Sequence, residues 1–407
     1  MKALVLAGGF PQIALIKELK SRGIETILAD YNKEPVAKPY ADKFHQASTL
    51  DIDAIADIAK KEKVDFLITA CTDQALLTVA KVSEMLGLPC YIDYQTALNV
   101  TNKQYMKKVF VENNISTAKH VIMAEFDPEQ IKGMEYPLIV KPVDCNSSKG
   151  VKKVENIEEL IKAFNTAVKL SRTDTALVEE FIEGEELSVD VYVENGVAHV
   201  LSVSSLDKIA DNDKFVIFRG RYSEDVFNKV YELVSHIAQQ IADAFKLKNS
   251  PMLIQMITDG KRAFVLEFSA RTGGGVKFLL IKKASGFDVI SAVVDLTLGN
   301  KPHVERVKPQ NKFIANEFIY CYPGKFHRLS GFDELKADGT ISDYYLFKWQ
   351  GAEFSTIENS GDRIAGFTVQ ADTIEELRLK HKTAVKGMKV LDSCGNDIMR
   401  RDLLTDF

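Results

Sequence analysis

Apolar positions run in two rhythms along this 407-residue chain. Over residues 2–94, short apolar runs alternate with amphipathic stretches. Leu4–Val5–Leu6 precedes a helix carrying Ile13, Ile16 and Leu19, Thr26–Ile27–Leu28 leads to Asp30, and Phe66–Leu67–Ile68 precedes a helix around 76–86. This alternation predicts a parallel, doubly wound α/β sheet. Over 96–300 the pattern is α+β, with mixed strands and long helices. Its clearest element is a helix over 226–245 with Val226, Val230, Leu233, Val234, Ile237, Ile241 and Phe245 on one face, a core stripe. After Pro302 strands shorten, at 316–320 and 366–369, before a helix over 373–386. The expected organisation is a Rossmann-like domain over 1–94, a central section over 95–300 and a small closing α+β domain over 301–407.

The strongest local signal is a hairpin. Runs 252–257 and 263–268 are β-branched or large and apolar, and Thr258–Asp259–Gly260 between them is a turn signal. Antiparallel pairing sets Gln255 opposite Glu267, and the period of two puts Ser269 on the face of Glu267. Arg271 and Gly273–Gly274–Gly275 follow. A carboxylate, two neutral oxygens and a guanidinium beside an open backbone suit Mg²⁺ plus phosphate.

Other stretches carry two readings each. Lys141 ends the apolar strand Pro137–Leu138–Ile139–Val140, either solvated or held at a fixed point for a phosphate. Asn146–Ser147–Ser148–Lys149–Gly150 is a hairpin loop whose amides and hydroxyls suit a flap over phosphates. Glu179–Glu180–Phe181–Ile182–Glu183–Gly184–Glu185–Glu186 is a bend dense in acids. Those acids either keep a sheet edge soluble or offer backbone to an adenine edge and a carboxylate to ribose hydroxyls. Lys103 and Lys107 share a helix face behind the cap Asn102, an arrangement usually solvated. Gly8–Gly9 and Asp30 invite a dinucleotide reading, but no GxGxxG is present and a tight turn is preferred.

Composition narrows the field. Hydrophobic residues make up 46% and charged residues 27%, as in ordinary globular proteins. A formal charge of −5 argues against a general nucleic-acid or anionic-membrane surface, and no apolar run is long enough to span a bilayer. Five scattered cysteines without a CxxC pair suggest a reducing cytoplasm and no zinc site. Cys145 has no histidine near it in sequence to activate it.

In order and spacing, the Lys103/Lys107 helix, Lys141–Pro142, the Ser147–Gly150 loop, the acidic bend, Gln255 and Glu267-x-Ser269-x-Arg271 resemble the ATP-grasp superfamily of carboxylate–amine ligases. The resemblance covers essentially the whole chain. It implies an ATP-grasp fold, with Lys103 and Lys141 on the ATP phosphates and Ser147, Ser148, Lys149 and Gly150 closing over them. It implies Glu179, Glu180, Phe181 and Ile182 at the adenine, Glu186 at the ribose, and Gln255, Glu267 and Ser269 at Mg²⁺, or Mn²⁺ in its place. Arg271 would steady the transferring phosphoryl group, with Glu267 beside it. The family's usual Glu-x-Asn-Pro-Arg reads Glu267–Phe268–Ser269–Ala270–Arg271 here, which puts the second metal position in doubt.

The implied activity makes an acyl phosphate from a carboxylate and ATP and passes it to an amine. Arg271–Thr272–Gly273–Gly274–Gly275 and Ala284–Ser285–Gly286–Phe287–Asp288 look most like amino-acid ligases. Gly273 and Gly274 are thereby substrate candidates. Arg219 and Arg221 are candidates for the substrate carboxylate, since a guanidinium fork matches it, or else belong to an exposed basic loop. A biotin-carboxylase role fits less well, since that flap is richer in glycine. Carbamoyl-phosphate-type carboxylation would normally need a duplicated chain, and none appears. The expected partners are small-molecule carboxylate and amine substrates, with no nucleic acid and no membrane, and a homodimer as in many related ligases. The alternatives from other classes are an ATP-binding sensor or partner subunit without ligation, resting on Ser269, and a dinucleotide-dependent oxidoreductase resting on Gly8, Gly9 and Asp30.

Overall fold

The computed structural model describes residues 1–145, 149–209, 215–305, 309 and 311–407. The first strands build a four-stranded parallel sheet in the order Lys43–Gln46, Glu25–Asp30, Lys2–Leu6, Phe66–Ile68. Apolar side chains on both faces explain why these strands read as continuous hydrophobic runs: Ala3, Leu4, Val5 and Leu6 are all fully buried under helices. The strand Lys43–Gln46 escapes the pattern because it is an edge, with its residues exposed or half-buried. The helix Asp73–Leu86 leaves the sheet at the end of Phe66–Ile68 and carries Asp73 at its first position.

A second four-stranded sheet is antiparallel, in the order His120–Met123, Ala176–Glu180, Leu138–Pro142, Lys152–Val154. The third is the large one. Eight strands run Ala263–Ser269, Ser250–Thr258, Glu185–Glu194, Val197–Lys208, Ile217–Ser223, Phe313–Ile319, Ala365–Ala371, Asp343–Leu346. The helix Glu224–Ala244 packs on it through Phe227, Val230, Val234, Ile237 and Ile241. Val226 and Leu233, expected in that stripe, are only half-buried, while Phe227 is buried.

The expected boundary at residue 300 does not coincide with a break in this sheet. Phe313–Ile319 pairs directly with Ile217–Ser223, so the closing region extends the central sheet. Among the described residues, only a three-stranded sheet, Glu353–Phe354, Gly324–Ser330 and Lys389–Asp392, belongs to the closing region alone.

Candidate active site

The hairpin forms as its pattern requires. Ser250–Thr258 and Ala263–Ser269 pair antiparallel, with Gln255 opposite Glu267. The register then shifts, so that Met256 faces Val265 and Leu266 is left over. That bulge breaks the alternation, and Leu266 and Glu267 both line the same pocket. Beyond it Ser269 resumes the face of Glu267.

Beside a pocket of about 30 Å³ under Ser269, two further cavities meet at this hairpin. The smaller, about 110 Å³, lies between the hairpin and the second sheet. Ile139, Ile257, Leu266, Phe181 and Ile182 give it apolar walls, and Lys103, Lys141, Lys149 and Glu186 bring charge to it. The larger, about 770 Å³, opens toward the N-terminal domain and the closing region, lined by Asp73, Arg271, Gly273, Gly274, Asn316, Phe318 and Arg363 among others. Gln255, Glu267 and Lys149 line both.

The smaller cavity has a buried ionic floor. Lys141 Nζ lies 2.5 Å and Lys107 Nζ 2.9 Å from the two carboxylate oxygens of Glu179. Burial alone would raise the Glu179 carboxyl, but the two ammonium groups outweigh it and hold it at about 2. Burial lowers the Lys107 ammonium despite Glu179. Burial also opposes Lys141, yet Glu179 and Glu267 leave its ammonium above the ordinary lysine value. Lys107, expected to be solvated, is therefore fully buried, and its Nζ also donates to Thr117 Oγ1 at 2.6 Å. Lys103 reaches the hairpin, 3.2 Å from Glu267, and donates to the Cys145 carbonyl at 2.8 Å. Burial works against the Glu267 carboxylate, while Lys103 and Lys141 bring its net value below the usual carboxylate range.

The acidic bend closes the pocket. The ion pair of Glu186 with Lys208 keeps that carboxylate at the pocket wall. Gly184 is required where it stands, since a Cβ there would lie 2.5 Å from the Thr258 carbonyl. Glu180, also at the wall, accepts from the Glu135 amide at 3.2 Å. Lys149 is exposed at the mouth, and Gly150 follows with φ +75°. Ser147 and Ser148 lie outside the described residues.

Asp73 is a site residue that the sequence reading missed. Its carboxylate accepts from the Ser269 hydroxyl and takes Arg271 in a two-point pair, Nε at 2.8 Å and Nη2 closer still. Burial would raise the Asp73 carboxyl, but Arg271 lowers it further. The Ser269 hydroxyl thus points at a side chain from the N-terminal domain, and to meet a metal it would have to turn. An acid in the first turn of a helix, as Asp73 is after Cys71–Thr72, is ordinary and gave no sequence signal for this.

Arg219 and Arg221, expected as candidates for the substrate carboxylate, do not line the larger cavity. They lie on the strand Ile217–Ser223, not on a loop, and alternation turns both away from the cavity while Gly220 between them lines it. Arg219 is buried, 2.5 Å from Glu317 Oε1, and also donates to the Thr405 carbonyl. Arg221 pairs with Asp207 at 2.8 Å. Asp30 is likewise committed, accepting from the Gly8 amide at 2.6 Å and the Asn32 amide at 2.7 Å, which makes Gly8–Gly9 a tight turn.

The donor set fits magnesium carried by a nucleotide. Among the described residues no cluster of three or more His, Cys, Asp or Glu side chains could hold a metal alone. One carboxylate and one amide oxygen beside a cationic phosphate-sized pocket match Mg²⁺, which takes one or two carboxylates together with substrate phosphates.

Residues 134–278 match the ATP-grasp domain family. That stretch is the part of the chain the family accounts for, and the likenesses to whole proteins extend beyond it. It is 23% identical to the carbamoyl phosphate synthase large chain of Clostridium acetobutylicum over 93% of its own length, but spans only 37% of that relative. It is 22% identical to a phosphoribosylamine–glycine ligase of Streptococcus pyogenes, with 88% of each covered. In structure it matches an L-amino acid ligase from Bacillus licheniformis with a TM-score of 0.79, at 18% identity, covering 96% of this chain and 98% of that one. The ATP-grasp fold expected from the sequence is the one observed. No described helix is long and apolar enough to cross a membrane.

Proposed function

We propose that this chain is an ATP-dependent carboxylate–amine ligase, joining a carboxylate, as an acyl phosphate, to an amine. The observation that carries this reading is that a lysine-lined pocket with apolar walls and a larger cavity share Gln255 and Glu267. A γ-phosphate entering from one side meets an acceptor entering from the other.

Lys103 and Lys141 would hold the phosphates, and the apolar walls with the backbone after Glu180 would hold the adenine. Glu267 and Gln255 are the residues that would hold Mg²⁺ (or Mn²⁺), which when bound neutralises phosphate charge during transfer. A substrate carboxylate oxygen then attacks the γ-phosphorus, the bond to the ADP oxygen breaks, and ADP leaves. The amine nitrogen attacks the acyl carbon, loses its proton, and the carbon–oxygen bond to phosphate breaks. Arg271 would face the transferred group, and Lys149 with the loop before it would shield the acyl phosphate from water. A cytoplasmic homodimer accords with this reading.

The test is ADP and phosphate release with ATP–Mg²⁺ across amino acids offered singly and in pairs. Release that needs two substrates, and falls by at least about a hundredfold in Glu267→Gln, supports ligation. The second reading, an ATP-binding sensor, draws on the Ser269–Asp73 hydrogen bond, and ATP–Mg²⁺ binding without release under any pair would favour it.

A further inference from the structure

Arg363 is a cation of the large cavity's wall with no carboxylate paired to it among the described residues. Of the other cations on that wall, Arg271 stands against Asp73, Lys277 against Asp190 at 3.2 Å and Arg172 against Asp144 at 3.4 Å, while Lys149 is exposed at the mouth. Arg363 lines the same cavity as Arg271, Lys277 and Arg172. Its neighbour Asp362 spends its carboxylate on the Glu358 and Asn359 amides, at 2.7 and 3.0 Å.

The guanidinium is nonetheless fixed. Nε donates to the Tyr320 hydroxyl at 3.1 Å, and Nη2 donates to the Ile217 carbonyl at 3.0 Å and the Ser360 hydroxyl at 3.3 Å. Its Cζ lies 3.7 Å from the Phe318 ring centroid. Nη1 has no hydrogen-bond partner among the described residues, and it lies 3.5 Å from where a Cβ on Gly275 would stand. That Cβ would also meet the Phe318 ring at 3.1 Å, and Gly275 has φ +66°, so glycine keeps the approach to Nη1 open. Gly275 follows Arg271 by four residues, a span of at most ~14 Å even if fully extended.

We propose that Arg363 binds the spectator carboxylate of an amino-acid substrate, through Nη1, while the reacting group of that substrate reaches the Arg271 end of the cavity. A guanidinium already fixed on its other nitrogens, with Nη1 left to bind, is a preorganised group suited to a carboxylate. The proposal rests on the ligase reading for the reaction, but the binding site itself does not depend on turnover.

The test compares wild type, Arg363→Gln and Arg363→Lys, each saturated with AMP-PNP–Mg²⁺, in calorimetric titrations with the twenty amino acids and their carboxyl amides. The same amino acids, singly and in pairs, are then run with ATP for ADP release. The wild type should bind at least one amino acid and discriminate against its amide. In Arg363→Gln, that discrimination should vanish, and KM for the acid should rise by about 30-fold or more with a smaller change in kcat. Arg363→Lys should restore part of it, and all three should bind AMP-PNP–Mg²⁺ alike, which also shows that the variants fold. Equal acid-over-amide discrimination in wild type and Arg363→Gln overturns the proposal, as does wild-type protein that binds no amino acid. Amino-acid binding that depends on Arg363 but never stimulates ADP release supports the site and overturns the ligase reading instead.

Discussion

At the level of single residues, the carboxylate of Asp73 is the least expected feature of the site. It neutralises Arg271 and accepts from Ser269, although 198 residues separate it from Arg271. Removing one partner of a buried pair strands the other charge, so Asp73→Ala should cost about 3 kcal/mol of stability in denaturant unfolding. A bound triphosphate offers Arg271 a new partner. Saturating ATP–Mg²⁺ should therefore stabilise Asp73→Ala more than wild type, and equal stabilisation would show that Arg271 does not face the phosphates. Neither Asp73 nor Arg363 was legible in the sequence, because each reaches the cavity from a segment remote from the hairpin. Arg219 and Arg221 were legible as cations, but their direction depends on a strand whose alternation only the sheet reveals.

At the level of elements, the hairpin was readable because two apolar runs and a Thr–Asp–Gly turn leave little else for it to be. The bulge that turns both Leu266 and Glu267 to the pocket was not, since it arises from the pairing with Met256 and Gln255. The helix Lys103–Glu112 was placed correctly, with Asn102 capping it through the Tyr105 amide. Its burial was hidden, because a lysine pair on one face looks solvated until the strand carrying Glu179 is set against it. This ionic floor has a pH signature. The Glu179 carboxyl falls from its ordinary 4.5 to about 2 on folding. A depressed carboxyl contributes stability above its unfolded value, and that contribution is lost as pH falls from about 4.5 toward 2. Denaturant midpoints measured across that window should fall more steeply for wild type than for Glu179→Gln. Parallel slopes would contradict the pairing.

At the level of the whole molecule, the eight-stranded sheet matters most. It carries the hairpin at one edge and, near the other, the strand Phe313–Ile319 whose Asn316 and Phe318 line the larger cavity. Residues after 300 looked like a separate closing domain because their strands are short and their pattern changes. Pairing across the expected boundary makes them a wall of the same site instead. The N-terminal sheet adds Asp73 from a third direction. ATP-grasp proteins with different substrates share this frame, so the central claim concerns the path of the chemistry. That path can be followed with a carboxylate substrate labelled with ¹⁸O, incubated with ATP–Mg²⁺ and an amine. Transfer through an acyl phosphate leaves one labelled oxygen in the released inorganic phosphate, detected by mass spectrometry together with ADP. Label appearing in AMP, or phosphate released without label, would contradict it.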